Sequence, residues 1–473
     1  MKLTHADRFY IGGVWVEPSA PRFHDVINPA TEAVVATVSM GDSDDVDAAV
    51  AAAAGAFPSY SAWTPAQRIA LLEEISSQYR RRMDEFADIV RLEIGSPRSF
   101  SAQVTSAPEH FRQAAETLES YEFEVPHEGY VLRREPIGVC GLITPWNWPV
   151  NQIVTKLAYA LAAGCTAVIK PSENSPLSAL LLMEVMHSAG VPEGVVNLIN
   201  GDGASVGRPI AAHPGIELVS FTGSTRAGIA VAEAAARTVK RVCQELGGKS
   251  PSVILDDADL SQAVRWTVSR AFLNSGQSCQ APTRMLVHSS RMAEAAEAAR
   301  EIVAAMRVGD PALPETTMGP VVNHTQFGRI QAYIEGAIAE GVSLICGGPG
   351  RPEGLDRGYF VRPTVFSGVT PDMTIAREEI FGPVLAIIPF ETDEEAVDIA
   401  NGTEYGLAGY VFSGDGARGR RIASRIRAGR VTLNGAASSL AAPMGGYRRS
   451  GNGRELGRLG FESFLEVKAL MGA

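Results

Sequence analysis

Positive charge is the scarcer sign in this sequence. Lys and Arg total 42 against 53 Asp and Glu, which leaves a net charge of −11. A nucleic-acid surface needs clustered cations, so that class of function is disfavoured. Cysteine is sparse as well. The five cysteines, Cys140, Cys165, Cys243, Cys279 and Cys346, are odd in number and form no CxxC pair. Neither a disulfide framework nor a metal site follows from such spacing, and a reducing cytoplasm is the expected location. Long apolar runs are missing too. The stretch Leu157 to Ile169, bounded by Lys156 and Lys170, falls short of the ~20 residues a membrane span needs. The opening MKLTHADRFYIGGVWVEP has no apolar h-region, so no secretory signal is expected. Tandem repeats and low-complexity linkers are also absent from the sequence.

What is present fits a folded enzyme. Apolar residues make up 45% and charged residues 20% of 473 residues. Two or three domains are expected, at roughly 100–200 residues each. Ala48 to Ala54 starts an alanine-rich helical layer, and Ile69, Leu72, Ile75 and Tyr79 recur at the spacing of a packed amphipathic helix. From Pro136 onwards five apolar runs, IGVCGLITP, TAVIKP, GVVNLIN, IELVSFTGS and KRVCQELGG, alternate with helical segments. That alternation predicts βαβ units and a parallel, doubly wound sheet. A second alternating region runs from Ser250 to about Arg449 and includes SVILDDAD, TRMLVHSS, VSLICGG, YFVRPTVFSGV, VLAIIPF and RVTLNG. It reads as a second α/β domain, joined at Gly247–Gly248.

A doubly wound sheet suggests a dinucleotide. GDGASVG, Gly201 to Gly207, is a loose glycine match after the third strand instead of the first, and by itself an ordinary helix-start turn explains it better. FTGSTRAG, Phe221 to Gly228, follows an apolar run and opens a helix whose free N–H groups suit a pyrophosphate. A plain N-cap by Ser224 or Thr225 fits it equally well. IKPSE puts Lys170 and Glu173 at a strand end, where Glu173 can accept from two ribose hydroxyls. A surface Lys and a helix-start Glu would look the same. Three such features at successive strand ends carry more weight than any one of them.

In LNSGQSCQAPTR, Cys279 stands among small polar residues beside Gly276, a poor setting for a packed cysteine. Packed and inert is the default for the other four. A nucleophilic thiol needs stabilisation of its thiolate and access to substrate. Glu245 ends a strand before two glycines, where a carboxylate can reach water, although most glutamates are simply solvated. TPWNWP is a rigid turn presenting the Asn147 amide, which can serve an oxyanion or simply belong to an aromatic-packed turn. No histidine stands out as a base.

With these segments assembled, the sequence resembles the aldehyde dehydrogenase superfamily over nearly the whole chain. PWNWP, IKPSE, FTGST, ELGGKSP, GQSC, EEIFGPV, EYGLAGYVF and MGGYRRSGNGRELG occur in family order, with Glu245 and Cys279 34 residues apart. The resemblance implies a modified Rossmann cofactor domain at 1–117 and 137–247, a second α/β catalytic domain at 248–448, and a β oligomerisation arm at 118–136 and 449–473. It implies oxidation of an aldehyde to the carboxylic acid with NAD, in a homodimer or homotetramer. Cys279 would be the nucleophile, Asn147 the oxyanion donor, Glu245 the base for water and Lys156 a supporting lysine. Cofactor contacts would come from Ile143, Thr144, Pro145, Trp146, Lys170, Ser172, Glu173, Gly203, Gly207, Phe221, Thr222, Gly223, Ser224, Leu246, Gly247, Glu379 and Phe381. Glu173 favours NAD by repelling a 2′-phosphate, while Lys170 leaves NADP use open. The uncharged segments ASSLAA and WPVNQ suggest a neutral aldehyde. Alternatives are a CoA-acylating or semialdehyde-specific dehydrogenase, and a non-catalytic structural protein on the same fold. Three departures from the family pattern stand out: Gln244 before the expected base, Gln280 after the expected nucleophile, and Met444 where an aromatic is frequent. Met444 suggests a different or more open substrate tunnel.

Overall fold

The computed structural model describes residues 4–100 and 102–472. All five expected parallel strands form, as Val139–Ile143, Thr166–Lys170, Val196–Leu198, Leu218–Thr222 and Arg241–Glu245. In space the order is Arg241–Glu245, Leu218–Thr222, Val139–Ile143, Thr166–Lys170, Val196–Leu198. The chain therefore lays down its first strand in the middle, builds outward in one direction, then crosses back to build in the other. Strands covered on both faces read as continuous apolar runs, and every residue of Val139–Ile143, Thr166–Lys170 and Leu218–Thr222 is buried. Alternation divides the side chains between two cores. Cys140, Leu142, Ala167 and Ile169 pack under the helices Pro65–Arg81, Ala107–Glu119, Pro149–Ala163 and Leu177–Ser188. Val139, Ile143, Val168 and Val219 face Ser43–Ser61 and Thr225–Ala235 on the other side.

Four N-terminal strands were not foreseen. Phe9–Ile11 and Val14–Val16 extend the parallel sheet antiparallel at its edge, and Phe23–Asn28 pairs with Ala33–Ser39 in a separate hairpin. Three-residue strands are too short to show a period, which is why the sequence hid the first pair. The helical layer follows the spacing rule: Leu72, Ile75 and Tyr79 are fully buried.

A second, seven-stranded sheet has the order Ser343–Cys346, Thr364–Ser367, Val384–Phe390, Arg284–His288, Pro251–Ile254, Ala408–Phe412, Arg430–Leu433. All its pairings are parallel except the first, at the edge. A third sheet of three strands pairs Leu465–Met471 with Tyr130–Pro136, and the latter with Glu124–His127. No helix among the described residues is long and apolar enough to cross a membrane.

Arg284, at the start of a central strand of the second sheet, ties that strand to the segment after Gly248 and to the end of the helix Asp393–Asn401. Its buried guanidinium donates to the carbonyls of Lys249 (2.9 Å), Ile399 (2.8 Å) and Ala400 (2.8 Å). Substituting Arg284→Met removes a charged donor from three carbonyls, of which Ile399 keeps only the Gly402 N–H, and should cost about 3–5 kcal/mol. A large drop in the thermal unfolding midpoint is expected by calorimetry, and an unchanged midpoint would contradict this account.

Candidate active site

The order of the first sheet reverses between Val139–Ile143 and Leu218–Thr222, and a crevice opens beyond the carboxyl ends of strands at such a point. The segments following these strands line a cavity of about 190 Å³. Pro145, Trp146 and Asn147 come from the first, Thr222, Gly223 and Ser224 from the fourth, and Leu246 and Gly247 from the fifth. The second sheet contributes Cys279, Glu379 and Phe381. The Trp146 and Phe381 rings meet edge to face with centroids 5.5 Å apart.

Cys279 is delivered by an unusual turn. Asn274 and Ser275 both lie in the left-handed region (φ 53° and 57°), followed by Gly276 at φ 74°. Non-glycine residues there cost of order 1–3 kcal/mol each, so the turn needs external bonds. Asn274 Nδ2 donates to the Asn147 carbonyl (2.8 Å), Ser275 Oγ to the Gly319 carbonyl (2.8 Å) and Gln277 Nε2 to the Asn274 carbonyl (3.1 Å). Gln277 Oε1 accepts from the Val322 N–H at 2.9 Å. A side chain at Gly276 would meet the Gly382 carbonyl group at 2.2 Å, so glycine alone lets this turn press against the segment after Phe381. The polar residues around Cys279 are therefore largely anchors, and Asn274, Ser275 and Gln277 are buried.

Asn147 is buried, and its own amide is oriented by this turn. Its Nδ2 donates to the Gln277 carbonyl at 3.0 Å, which leaves the second N–H for a ligand. Its backbone carbonyl accepts from both Asn274 and Gln103 (3.0 Å).

The charges are arranged to suppress ionisation at rest. Burial pushes the Cys279 thiol well above its ordinary value, and the carboxylates of Glu379 and Glu245 add to the rise, although the residue keeps some exposure on the cavity. Glu245 is raised well above the carboxylate range, first by burial and then by Glu455, against the pull of Lys156 and Arg454. Both its carboxylate oxygens are buried without a partner. Lys156 is fully buried in an ion pair with Glu455. Lys249 is also buried with its Nζ unpaired, and burial, with Arg284 adding, pushes it down to about 7.

The nucleotide-like features are built as follows. Ser224 caps Thr225–Ala235 by accepting from Ala227 N–H. Phe221 is buried beneath Gly223, where a Cβ would strike its ring at 2.5 Å. Gly247 lets Glu379 approach, since a Cβ there would stand 2.2 Å from Glu379 Oε2. Glu379 Oε1 accepts from Gly248 N–H (3.0 Å), while Gln326 and Arg329 donate to the carbonyls of Ile380, Phe381 and Glu379 and hold that segment. Lys170 is buried, and its Nζ donates to the Pro171 carbonyl (3.0 Å) and lies 3.5 Å from Glu173 Oε2. Burial lowers its pKa and Glu173 opposes that.

Several expected residues lie outside the cavity lining. Ile143 and Thr144 are buried behind it, and the Thr144 hydroxyl has no partner. Ser172 accepts from Asn174 N–H. Gly203 begins a π turn whose Ala204 and Ser205 N–H groups are already taken by Asp202 Oδ1, so they are not free for a phosphate. Gly207 closes that turn with the Lys170 stem 3.8 Å from where its Cβ would be.

Sequence reading passed over Gln103, Asn274, Gln277, Lys249 and Glu455. Glu455 lies in the quoted GRELG, but its partner Lys156 is 299 residues away, a relation no spacing rule exposes. Of the departures, Gln244 points from its strand to the helix Thr225–Ala235, donating to the Gly228 carbonyl (2.5 Å) and away from its neighbour Glu245. It ties helix to strand. Gln280 and Met444 touch each other: Gln280 Nε2 donates to Met444 Sδ at 3.2 Å.

Comparison with known proteins agrees with this geometry. The aldehyde dehydrogenase family model matches residues 15–470. A 3-succinoylsemialdehyde-pyridine dehydrogenase of Pseudomonas sp is 53% identical over 467 residues, 98% of each chain. Among solved structures, a cysteine-to-alanine mutant of aldehyde dehydrogenase C from Pseudomonas syringae, complexed with NAD+ and octanal, superposes with TM-score 0.98 at 52% identity, over 99% of this chain and 97% of that one. Betaine aldehyde dehydrogenase from Staphylococcus aureus, complexed with NAD+, gives 0.95 at 36% identity, over 99% and 95%. A crevice at the reversal of a parallel sheet, lined by a cysteine and an oriented amide, thus occurs in a chain that belongs to the aldehyde dehydrogenase family.

Proposed function

We propose that this chain oxidises neutral aldehydes to carboxylic acids with NAD through a covalent adduct on Cys279. The observation that carries the reading is that Cys279 and the oriented Asn147 amide line one cavity, with the buried, unpaired Glu245 carboxyl close enough to raise the Cys279 thiol. The Cys279 sulfur, once deprotonated, adds to the aldehyde carbon, and the carbonyl electron pair moves to oxygen. The remaining Asn147 N–H and the Cys279 backbone N–H hold that oxyanion, an arrangement in which one donor is typically worth about 2.7–4 kcal/mol. NAD, when bound, supplies the acceptor for the hydride that leaves the same carbon. That departure and the collapse of the oxyanion to a C=O bond are one step, which leaves a thioester on Cys279. Glu245 takes a proton from water, the hydroxide adds to the thioester, and the carbon–sulfur bond breaks to release the acid. A carboxyl raised by burial is a stronger base near neutral pH than an exposed one. A hydrolytic base also favours free acid over transfer to CoA.

The residues present fit NAD. The capped start of Thr225–Ala235 suits a pyrophosphate, Lys170 and Glu173 suit the adenosine ribose, and Glu379 beside Gly247, with Phe381, suits the nicotinamide ribose. Complexes of two structural neighbours with NAD+ support this, and the succinoylsemialdehyde-pyridine and octanal named for relatives support a neutral aldehyde. Residues 1–117 and 137–247 form the cofactor unit in this reading, 248–448 the catalytic unit, and 118–136 with 449–473 the arm. Leu465–Met471 is an edge strand exposing Val467 and Met471, which supports a role in joining copies into a homodimer or homotetramer. A cytoplasmic location accords with unpaired cysteines throughout.

Cys279→Ala should abolish NADH formation on an aldehyde panel, with and without CoA, while NAD binding persists by calorimetry; turnover in this variant would remove the cysteine from the mechanism. Glu245→Gln should leave the first burst of NADH largely intact and slow steady-state acid release by 10²-fold or more, as stopped-flow absorbance would show. Equal loss of both phases would argue for a different role. Because burial and the carboxylates of Glu379, Glu245 and Glu455 raise the Cys279 thiol, its alkylation by iodoacetamide should still be accelerating above the ordinary cysteine value of about 8.5. Glu379→Gln should move that midpoint down, and a midpoint unmoved or raised would contradict the electrostatic account.

A further inference from the structure

We propose that Gln280 selects aldehydes carrying a neutral hydrogen-bond acceptor, such as a ketone oxygen, a few bonds from the aldehyde carbon. This rests on Cys279 as the point of attachment. Gln280 is the next residue, and its backbone is fixed by the Tyr410 hydroxyl, which donates to the Gln280 carbonyl at 2.8 Å. The side chain is partly exposed, and its Nε2 meets the Met444 thioether at 3.2 Å. Sulfur of this kind is a weak acceptor, so the amide holds a bond it can exchange for a better one.

The position is right for the substrate. Cys279 lines the cavity with Trp146, Gly247 and Phe381, whereas neither Gln280 nor Met444 does. They lie outside that lining and touch each other, with Gln280 adjoining Cys279 in the chain. Met444 precedes Gly445, where a Cβ would stand 2.9 Å from Glu245 Oε1, so the wall touched by Gln280 continues to the carboxyl that faces the adduct. That wall is anchored: Met444 exchanges both backbone bonds with Glu455 at 2.7 Å, and Arg430 donates to the Ala442 and Pro443 carbonyls. The Arg430 guanidinium is only partly committed to the wall, since its Nε is buried without a partner, and the group that touches Met444 is the neutral Gln280 amide. An acyl chain growing from the sulfur along this side passes the amide, and an acceptor on it replaces the thioether.

The test compares matched pairs, 4-oxopentanal with 4-methylpentanal and 5-oxohexanal with 5-methylhexanal, by kcat/KM with NAD. One neutral hydrogen bond in place of a weak one predicts a roughly three- to tenfold preference for at least one ketone of the series. Gln280→Met should bring that ratio to about one, and Met444→Leu, which removes the competing acceptor, should keep or enlarge it. Each ratio is taken within one enzyme, so partial misfolding of a variant cancels. Equal kcat/KM within both pairs in the unmodified enzyme, or a preference that survives Gln280→Met, would overturn the assignment while leaving aldehyde oxidation standing. Failure to oxidise any member, or any aldehyde of the wider panel, would instead overturn the reading on which it rests.

Discussion

The Asn274 side-chain amide donates to the backbone carbonyl of Asn147, and through this bond the loop carrying Cys279 is locked to the end of the central parallel strand. The two segments come from different sheets. Each on its own would be an irregular turn with unsatisfied backbone groups, and buried groups of that kind must be paired. Gln277 and Gln103 complete the arrangement. The oriented amide of Asn147 and the position of the sulfur are thus consequences of one network, and neither can shift without the other. Gly276 against Gly382 extends the constraint to the segment bearing Glu379 and Phe381.

This packing also accounts for the electrostatics. A tightly closed junction excludes water, so Cys279 and Glu245 are both held toward their neutral forms, each made worse by neighbouring carboxylates. Two of the buried cations are committed elsewhere, Lys156 to Glu455 and Arg284 to three carbonyls, and the unpaired Lys249 is itself pushed toward its neutral form by burial. The resting site is consequently quiet, and its reactivity depends on deprotonation that burial opposes. A thiol kept protonated between turnovers is also less open to oxidation.

Much of the fold was legible because the signals are local. Five apolar runs alternating with helices specify parallel βαβ units, and all five strands form where expected. The strand Ala408–Phe412 was readable only as part of a family segment, and the first two N-terminal strands escaped because they are three-residue edge additions. Cys279, Glu245 and Asn147 were picked out by their surroundings; Cys279 and Asn147 line one cavity, and the Glu245 carboxyl is close enough to raise the Cys279 thiol. The anchoring amides were missed because nothing in a sequence separates an Asn that caps a turn from one that bonds a carbonyl 127 residues away. In GDGASVG the Ala204 and Ser205 N–H groups are bonded by Asp202, a pairing within the loop that glycine spacing does not display.

The sequence by itself determined the class of fold, the order of its strands along the chain and the chemical types gathered for the reaction, since period, propensity and residue chemistry are local properties. Tertiary structure alone decided what the polar setting of Cys279 means. Its neighbours are polar because a left-handed turn must be bonded from outside, and the partners are supplied by distant strands and loops. It alone decided, too, that Gln280 and Met444, separate departures along the chain, form a single contact, because only folding brings their two walls together.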